Sequence, residues 1–232
     1  PGDTESDTNP CGAPCTRRCD PASCTWLPCA VSDAYEHACD ALDDDGNGQV
    51  DECLWCLEPM PGDGTTWLAI DGTDATNVWA TGVAPSGAPS VAQRDVSYVW
   101  VERATAGLDD PAALTAVWTD KSTGRPWAAN EVGRVFRFDS AAGTWVEPVA
   151  GPPAAGARLL ALAARSEDEL WVVGEAGTAR VWDGIAWRSP DLPAAMPDLT
   201  DLVAPVGAPT WIVGRDAIIE GEAKPVAAEE LH

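Results

Sequence analysis

From about residue 61 onward, apolar and polar residues alternate in short bursts broken by Gly, Asp or Asn, a period-two pattern that predicts strands rather than helices. The clearest stretch is residues 170–189, LWVVGEAGTARVWDGIAWRS. It reads as strands at 170–174 and 178–183 joined by a tight Gly-bearing turn, with a second turn at Asp183-Gly184 before Trp187. Looser copies lie on both sides, giving four units that start at residues 67, 114, 159 and 199. Their second strands carry Trp79, Trp127, Trp171 and Trp211, spaced 48, 44 and 40 residues apart. Phe138 and Trp182 follow Trp127 and Trp171 by eleven residues and mark third strands, and Trp145 and Trp187 mark fourth strands. The first unit is stretched by a Pro/Gly/Ser insertion at 84–90, so its fourth strand is hard to see. The last is short, with 217–221 and 225–228 as candidate strands.

A repeat in the forties with several short strands per unit is the signature of a propeller blade. The predicted fold is mainly β: a small β-propeller of four blade-like repeats, at about 65–111, 112–156, 157–197 and 198–232, preceded by a small disulfide-rich calcium-binding module. The expected ring closes on itself, with a strand near 65–70 beside one near 225–228. The alternative is a half-propeller completed by a second copy or a host protein. The pattern D-x-x-W-x-V-G-x-x-G-x-x-x-x-W-D-G-x-x-W at residues 168–187 resembles the Trp-rich propeller repeats of bacterial secreted and surface proteins, akin to Asp-box and photosystem-assembly-factor-like propellers. One unit matches well and three match in part. The resemblance implies extracellular binding or scaffolding, although some relatives are glycosidases.

Cysteine usage divides the chain. All eight, Cys11, Cys15, Cys19, Cys24, Cys29, Cys39, Cys53 and Cys56, precede residue 57. An even number packed into so short a segment predicts four disulfides in an oxidising compartment, because such a segment cannot bury enough apolar surface alone. Zinc is the competing reading for Cys53 and Cys56 with His37 and Cys39, but it would strand the other thiols. Residues 1–10 are polar and acidic and read as a tether, as would follow a signal sequence or lipid anchor. The expected organisation is thus tether 1–10, module 11–60 and propeller 61–232.

Within the module, residues 39–56 read CDALDDDGNGQVDECLWC. Asp43, Asp45, Asn47, Gln49 (through its carbonyl) and Asp51 fall at loop positions one, three, five, seven and nine, with Gly48 at six. That spacing wraps hard oxygen ligands around Ca²⁺. Leu54 stands where a bidentate glutamate is usual, so Glu52 is the extra carboxylate. The same stretch, over about fourteen residues, resembles the MopE-type repeat, a short acidic metal-binding repeat of secreted proteins of myxobacteria and their relatives. It departs from that repeat at Gly46, where a second cysteine is common. The resemblance implies an extracellular metal-binding loop, and the ion expected here is structural calcium.

Charge narrows the partners. With 37 acids against 14 bases and a net charge of -23, the chain repels phosphate backbones and anionic lipid, so nucleic acid is excluded as an expected partner. No apolar run approaches the roughly 20 residues needed to span a bilayer. Only His37 and His232 are present, which removes a His-based triad from the repeats. Paired carboxylates are what catalysis has left, and Asp74, Glu131, Glu167, Asp168, Glu169, Glu175 and Asp216 lie near strand ends. None is singled out by spacing. Among 12 Trp, those recurring at Trp79, Trp127, Trp171 and Trp211 are expected between blades, whereas Trp100, Trp118 and Trp145 break the register and are the candidate surface contacts. The sequence therefore points to a secreted, periplasmic or surface-attached protein, non-catalytic, binding a protein partner, a second copy or a glycan within a larger assembly. A carboxylate-dependent glycosidase or lyase on the same fold is the alternative.

Overall fold

The computed structural model describes residues 60–148, 153–154, 156–193 and 195–221, together with three backbone strands nearer the N-terminus. The chain divides into two compact units, Pro1–Pro59 and Met60–His232. In the first, β1 (Thr4–Thr8), β2 (Pro14–Asp20) and β3 (Thr25–Trp26) form an antiparallel sheet in that order. The stretch expected as a tether thus contains a strand, whose register sets Glu5 opposite Arg17. Asp43, Asp45, Asn47, Gln49, Asp51 and Glu52 and six of the eight cysteines lie outside the described residues. Cys15 and Cys19 fall in β2.

The second unit is four antiparallel sheets in chain order, each a simple meander. The first holds β4 (Thr66–Gly72), β5 (Val78–Val83), β6 (Pro89–Arg94) and β7 (Trp100–Glu102). The second holds β8 (Leu114–Thr119), β9 (Pro126–Asn130), β10 (Val135–Asp139) and β11 (Thr144–Val146). The third holds β12 (Leu159–Ser166), β13 (Glu169–Gly174), β14 (Ala179–Trp182) and β15 (Trp187–Arg188). The last has three described strands, β16 (Leu199–Val203), β17 (Thr210–Gly214) and β18 (Ala217–Gly221). The fourth strand of the first unit, hidden at the sequence level, is β7. The expected strand at 225–228 lies outside the described residues.

Repetition extends to fine geometry. Each first strand slips register at the same place, between Trp67 and Ala69, Leu114 and Ala116, Leu159 and Ala161, and Leu199 and Asp201. A bulge at one fixed position bends every blade alike, so successive sheets can stack at a constant angle. The residue opposite that bulge is Gly82, Gly174 or Gly214 in three sheets, and a Cβ on Gly82 or Gly174 would lie about 2 Å from the carbonyl oxygen of Thr66 or Arg158. In the second sheet the place is taken by Asn130, whose Oδ1 accepts the N–H groups of Val132 (3.2 Å) and Arg134 (2.8 Å) and closes the next turn.

Three cores lie between the four sheets. Trp79 and Val91 of the first meet Leu114, Val117, Phe136 and Trp145 of the second. Trp127 and Val135 of the second meet Leu159, Leu162, Leu170, Val172 and Trp182 of the third. Trp171 and Val173 of the third meet Leu199, Leu202 and Ile212 of the last. Each fully buried large side chain contributes on the order of 1.5–3 kcal/mol, so the stability of the unit resides in these seams. The innermost strands β4, β8, β12 and β16 are neighbours in that order. Among the described residues no core joins the last sheet to the first, so the described blades form an arc with three seams; the strand at 225–228 through which the expected ring closes lies outside them.

Candidate functional site

The recurring Trp positions behave as expected in three of four cases. Trp79, Trp127 and Trp171 are buried in seams, but Trp211 is exposed, with no further sheet packed on its own among the described residues. Of the candidate surface aromatics, Trp145 is a core residue, only 2% exposed, with its Nε1 donating to the carbonyl of Ala104 at 3.2 Å. Its ring meets Trp79 edge-on at 6.4 Å and Phe138 at a tilt at 5.4 Å, and the loop at 103–108 folds over β11 and covers it. Trp118 is half-buried against the second seam, and Trp100 is half-buried on β7.

A concavity between the outer strands of the third and last sheets encloses about 680 Å³, within the range that holds a small ligand or a few residues of peptide. Its apolar wall is Trp171, Val181, Trp182, Leu192, Ile212 and Ile219. Its rim is acidic, with Asp168, Glu169, Asp183, Asp191 and Glu220 against a single base, Arg188. Two of the acids are engaged. Glu169 pairs with Arg165, which also donates to the carbonyl of Pro205 (2.9 Å) and the hydroxyl of Thr210 (3.1 Å) across the seam. Asp183 accepts the N–H groups of Ala186 (2.8 Å) and Ile185 (3.0 Å) and pairs with Arg188. These bonds, the backbone donor of Ala186 first, hold its carboxyl below the ordinary aspartate range, so it is ionised and fixed in its turn. Asp168, Asp191 and Glu220 are exposed and form no ion pair among the described residues.

The equivalent cleft one seam earlier, between the second and third sheets, encloses about 400 Å³. There Arg137, opposite Trp127 as Val181 is opposite Trp171, lies over the Trp127 ring at 5.7 Å and faces Glu167 at 3.7 Å. Arg125 reaches the same Glu167 at 3.5 Å. Glu167 is thus paired there, with Arg137 over the centre; replacing Arg137 by Val181 one repeat later leaves the larger cleft apolar at its centre and negative at its edge.

The remaining candidate carboxylates are spread over structural tasks. Asp74 accepts the N–H and hydroxyl of Thr76 (2.8 and 2.7 Å) within its own turn, and Glu131 accepts the Ala113 N–H (2.9 Å). Glu175 and Asp216 are exposed turn residues. Only Asp168 and Glu169 come to the large cleft. No cluster of three or more metal-ligating side chains occurs among the described residues. The cleft itself was not foreseen from sequence: its signal is the loss of Arg at the position of Val181, visible only once the repeats are aligned by strand register.

Four antiparallel meander sheets stacked through a repeated seam define a β-propeller-like protein. Solved structures bear out the fold. The chain is similar to a catalytically inactive virginiamycin B lyase from Staphylococcus aureus crystallised with quinupristin, at 11% identity and a TM-score of 0.55, over 97% of this chain and 71% of that one. It is also similar to YCF48 from Cyanidioschyzon merolae (12%, 0.53, over 93% and 64%). A third similar structure is PorZ, an essential bacterial surface component of the type-IX secretion system of Porphyromonas gingivalis (12%, 0.53, over 95% and 32%). The chain thus spans about a third of PorZ and under three quarters of the other two. No family model and no curated protein matches the sequence.

Proposed function

We propose that this protein is a secreted or surface-attached binding scaffold whose propeller-like unit grips a basic segment of a protein partner in the cleft between the third and last sheets. The observation that carries this reading is the combination of an apolar wall, Leu192 and Ile219 at its surface over Trp171 and Trp182, with a rim where Asp168, Asp191 and Glu220 have no cationic partner among the described residues. An apolar trough accepts an aliphatic stem, and unpaired rim carboxylates accept the ammonium or guanidinium at its end. The net charge of -23 draws such a segment in.

The lyase among the similar structures keeps an enzymatic alternative in view, a carboxylate-dependent glycosidase or lyase. Against it, Glu169 and Asp183 are tied to arginines, and Asp183 is held ionised, whereas glycoside hydrolysis needs one carboxylic acid kept protonated. An extracellular location fits this reading, as does a structural calcium ion on Asp43, Asp45, Asn47, Gln49, Asp51 and Glu52 in a module stapled by disulfides. Titration with a library of Lys/Arg-containing peptides, followed by Trp fluorescence, tests the binding reading. Binding that falls at least tenfold in the Asp191→Asn, Glu220→Gln double variant supports it. Failure of every peptide, or turnover of an oligosaccharide, rejects it.

A further inference from the structure

The repeats allow each position of one sheet to be matched with its equivalents in the others, and the matches single out the two ends of the arc. On the side of each sheet that receives the next blade, Trp79, Trp127 and Trp171 are buried, while their equivalent Trp211 is 40% exposed. Val91, Val135 and Ala179 are at most 2% exposed, while their equivalent Ile218 is 74% exposed. Val203 and Val213 are exposed on this same side. The opposite side, which packs onto the preceding blade, repeats the pattern at the other end. Val117, Leu162 and Leu202 are buried there, and their equivalent Ile70 is 65% exposed. The arc therefore ends in the Trp-bearing half of one further seam and begins with the receiving half of the same seam.

We propose that these two half-seams pair between two copies of this chain, head to tail and twice over, to close a ring of about eight blades, within the usual propeller range. The occupant follows from continuity. The face around Trp211 is the fourth copy of a surface that three times in this chain is covered by a blade of the same kind, and a second copy presents the receiving face around Ile70. None of Val203, Trp211, Val213 and Ile218 lines the cleft, so although Glu220 borders both, variants at Trp211 and Ile70 test the pairing without altering the residues that carry the binding reading. Charge sets its strength. Asp201 occupies the place held by Ala69, Ala116 and Ala161, and Glu220 shares its face, so two acids and the net charge of -23 work against apolar contact. The pairing is consequently reversible and strengthened by salt, which screens the repulsion.

Sedimentation of the full chain at roughly 100 µM, in low salt and in about 0.5 M salt, where the Debye length falls below about 5 Å, tests the proposal. The expected result is a species of twice 24.3 kDa, more populated in high salt. Trp211→Asp and Ile70→Asp should each give monomers, because every seam of the ring needs both faces. An equimolar mixture of the two variants should restore a dimer, since one intact Trp211 face then meets one intact Ile70 face. Asp201→Ala, which installs the residue of the other three blades, should tighten pairing at least threefold. Ile218→Asp replaces Trp211→Asp if near-UV dichroism shows the latter misfolded. A chain that stays monomeric in both salts overturns the proposal. So does a dimer that survives Ile70→Asp but not Trp211→Asp, which would mean two last sheets meeting face to face, and so does a mixture that stays monomeric.

Discussion

The carboxylate of Asp71, on the innermost strand of the first sheet, accepts the backbone N–H of Thr119 on the innermost strand of the second at 2.6 Å. Thr119 is fully buried, so this bond satisfies a donor that water cannot reach, and the second oxygen of Asp71 takes Lys121 at 3.3 Å. Beside it Asn77 donates to the carbonyl of Gly124 at 3.1 Å while accepting the indole N–H of Trp79 at 2.8 Å. The first seam is thus aligned by polar bonds at its edge and held by apolar packing behind them. Asp71→Ala should lower stability by about 1–3 kcal/mol, the cost of an orphaned buried donor, and Asp71→Asn by less because its amide oxygen still accepts. Urea denaturation midpoints at constant slope measure both.

Trp145→Ala should be among the most destabilising single changes in the unit, by about 3–5 kcal/mol. The indole fills the first seam between Trp79 and Phe138, and its loss leaves the Ala104 carbonyl without that donor. Trp118→Ala, at a half-buried site, should cost clearly less. Thermal unfolding of the two variants in parallel distinguishes them; equal losses would contradict the burial difference.

Gly107 has φ of +90°, and a Cβ there would lie 1.9 Å from the Trp145 carbonyl oxygen. Gly107→Ala combines an unfavourable backbone region with a clash against backbone, and should lift the covering loop off β11. Hydrogen exchange at Trp145, whose N–H donates to the Ala106 carbonyl at 2.8 Å, should accelerate well before global unfolding does.

Acid sensitivity should trace partly to Asp120. Burial pushes its carboxyl upward, but the N–H of Ser122 and the hydroxyls of Thr123 and Ser122 outweigh it, so the group titrates below the ordinary value of 3.8. A carboxyl depressed on folding contributes stability that is full above the unfolded-state value and is lost as pH falls through the folded one. Stability should therefore decline as pH falls below about 3.8, and less steeply in Asp120→Asn, as midpoints measured from pH 6 to pH 2 would show.

Calcium should bind the acidic loop with one ion per chain, and all eight cysteines should resist alkylation under denaturing, non-reducing conditions. Chelation should increase protease cleavage within residues 1–59 while leaving the unfolding of the propeller-like unit unchanged, since only the former gains the binding energy of the ion. Absence of calcium heat in titration calorimetry, with Asp45→Ala cleaved no faster than the parent, would instead leave the loop a solvated acidic turn.

Local alternation and turn residues carry information about strands because neighbours a few residues apart decide them. The stretch 168–187 therefore shows three strands and both turns in its letters, and the spacing of Trp79, Trp127, Trp171 and Trp211 shows the repeat. The short fourth strand at Trp100–Glu102 was obscure because a three-residue strand carries almost no pattern of its own. What tertiary structure decided is which copies of a repeated residue are covered. Trp171 and Trp211 have the same local sequence logic, yet one is buried by a following sheet and the other is not. Trp145 reads as a surface residue until a loop about forty residues earlier folds over it, and the cleft exists only because Val181 and Ile219 come together from adjacent blades. Burial by a distant segment depends on how blades stack, and no window of a few residues contains that; the sequence alone determined the blade, and packing between blades determined the seams and the cleft among the described residues.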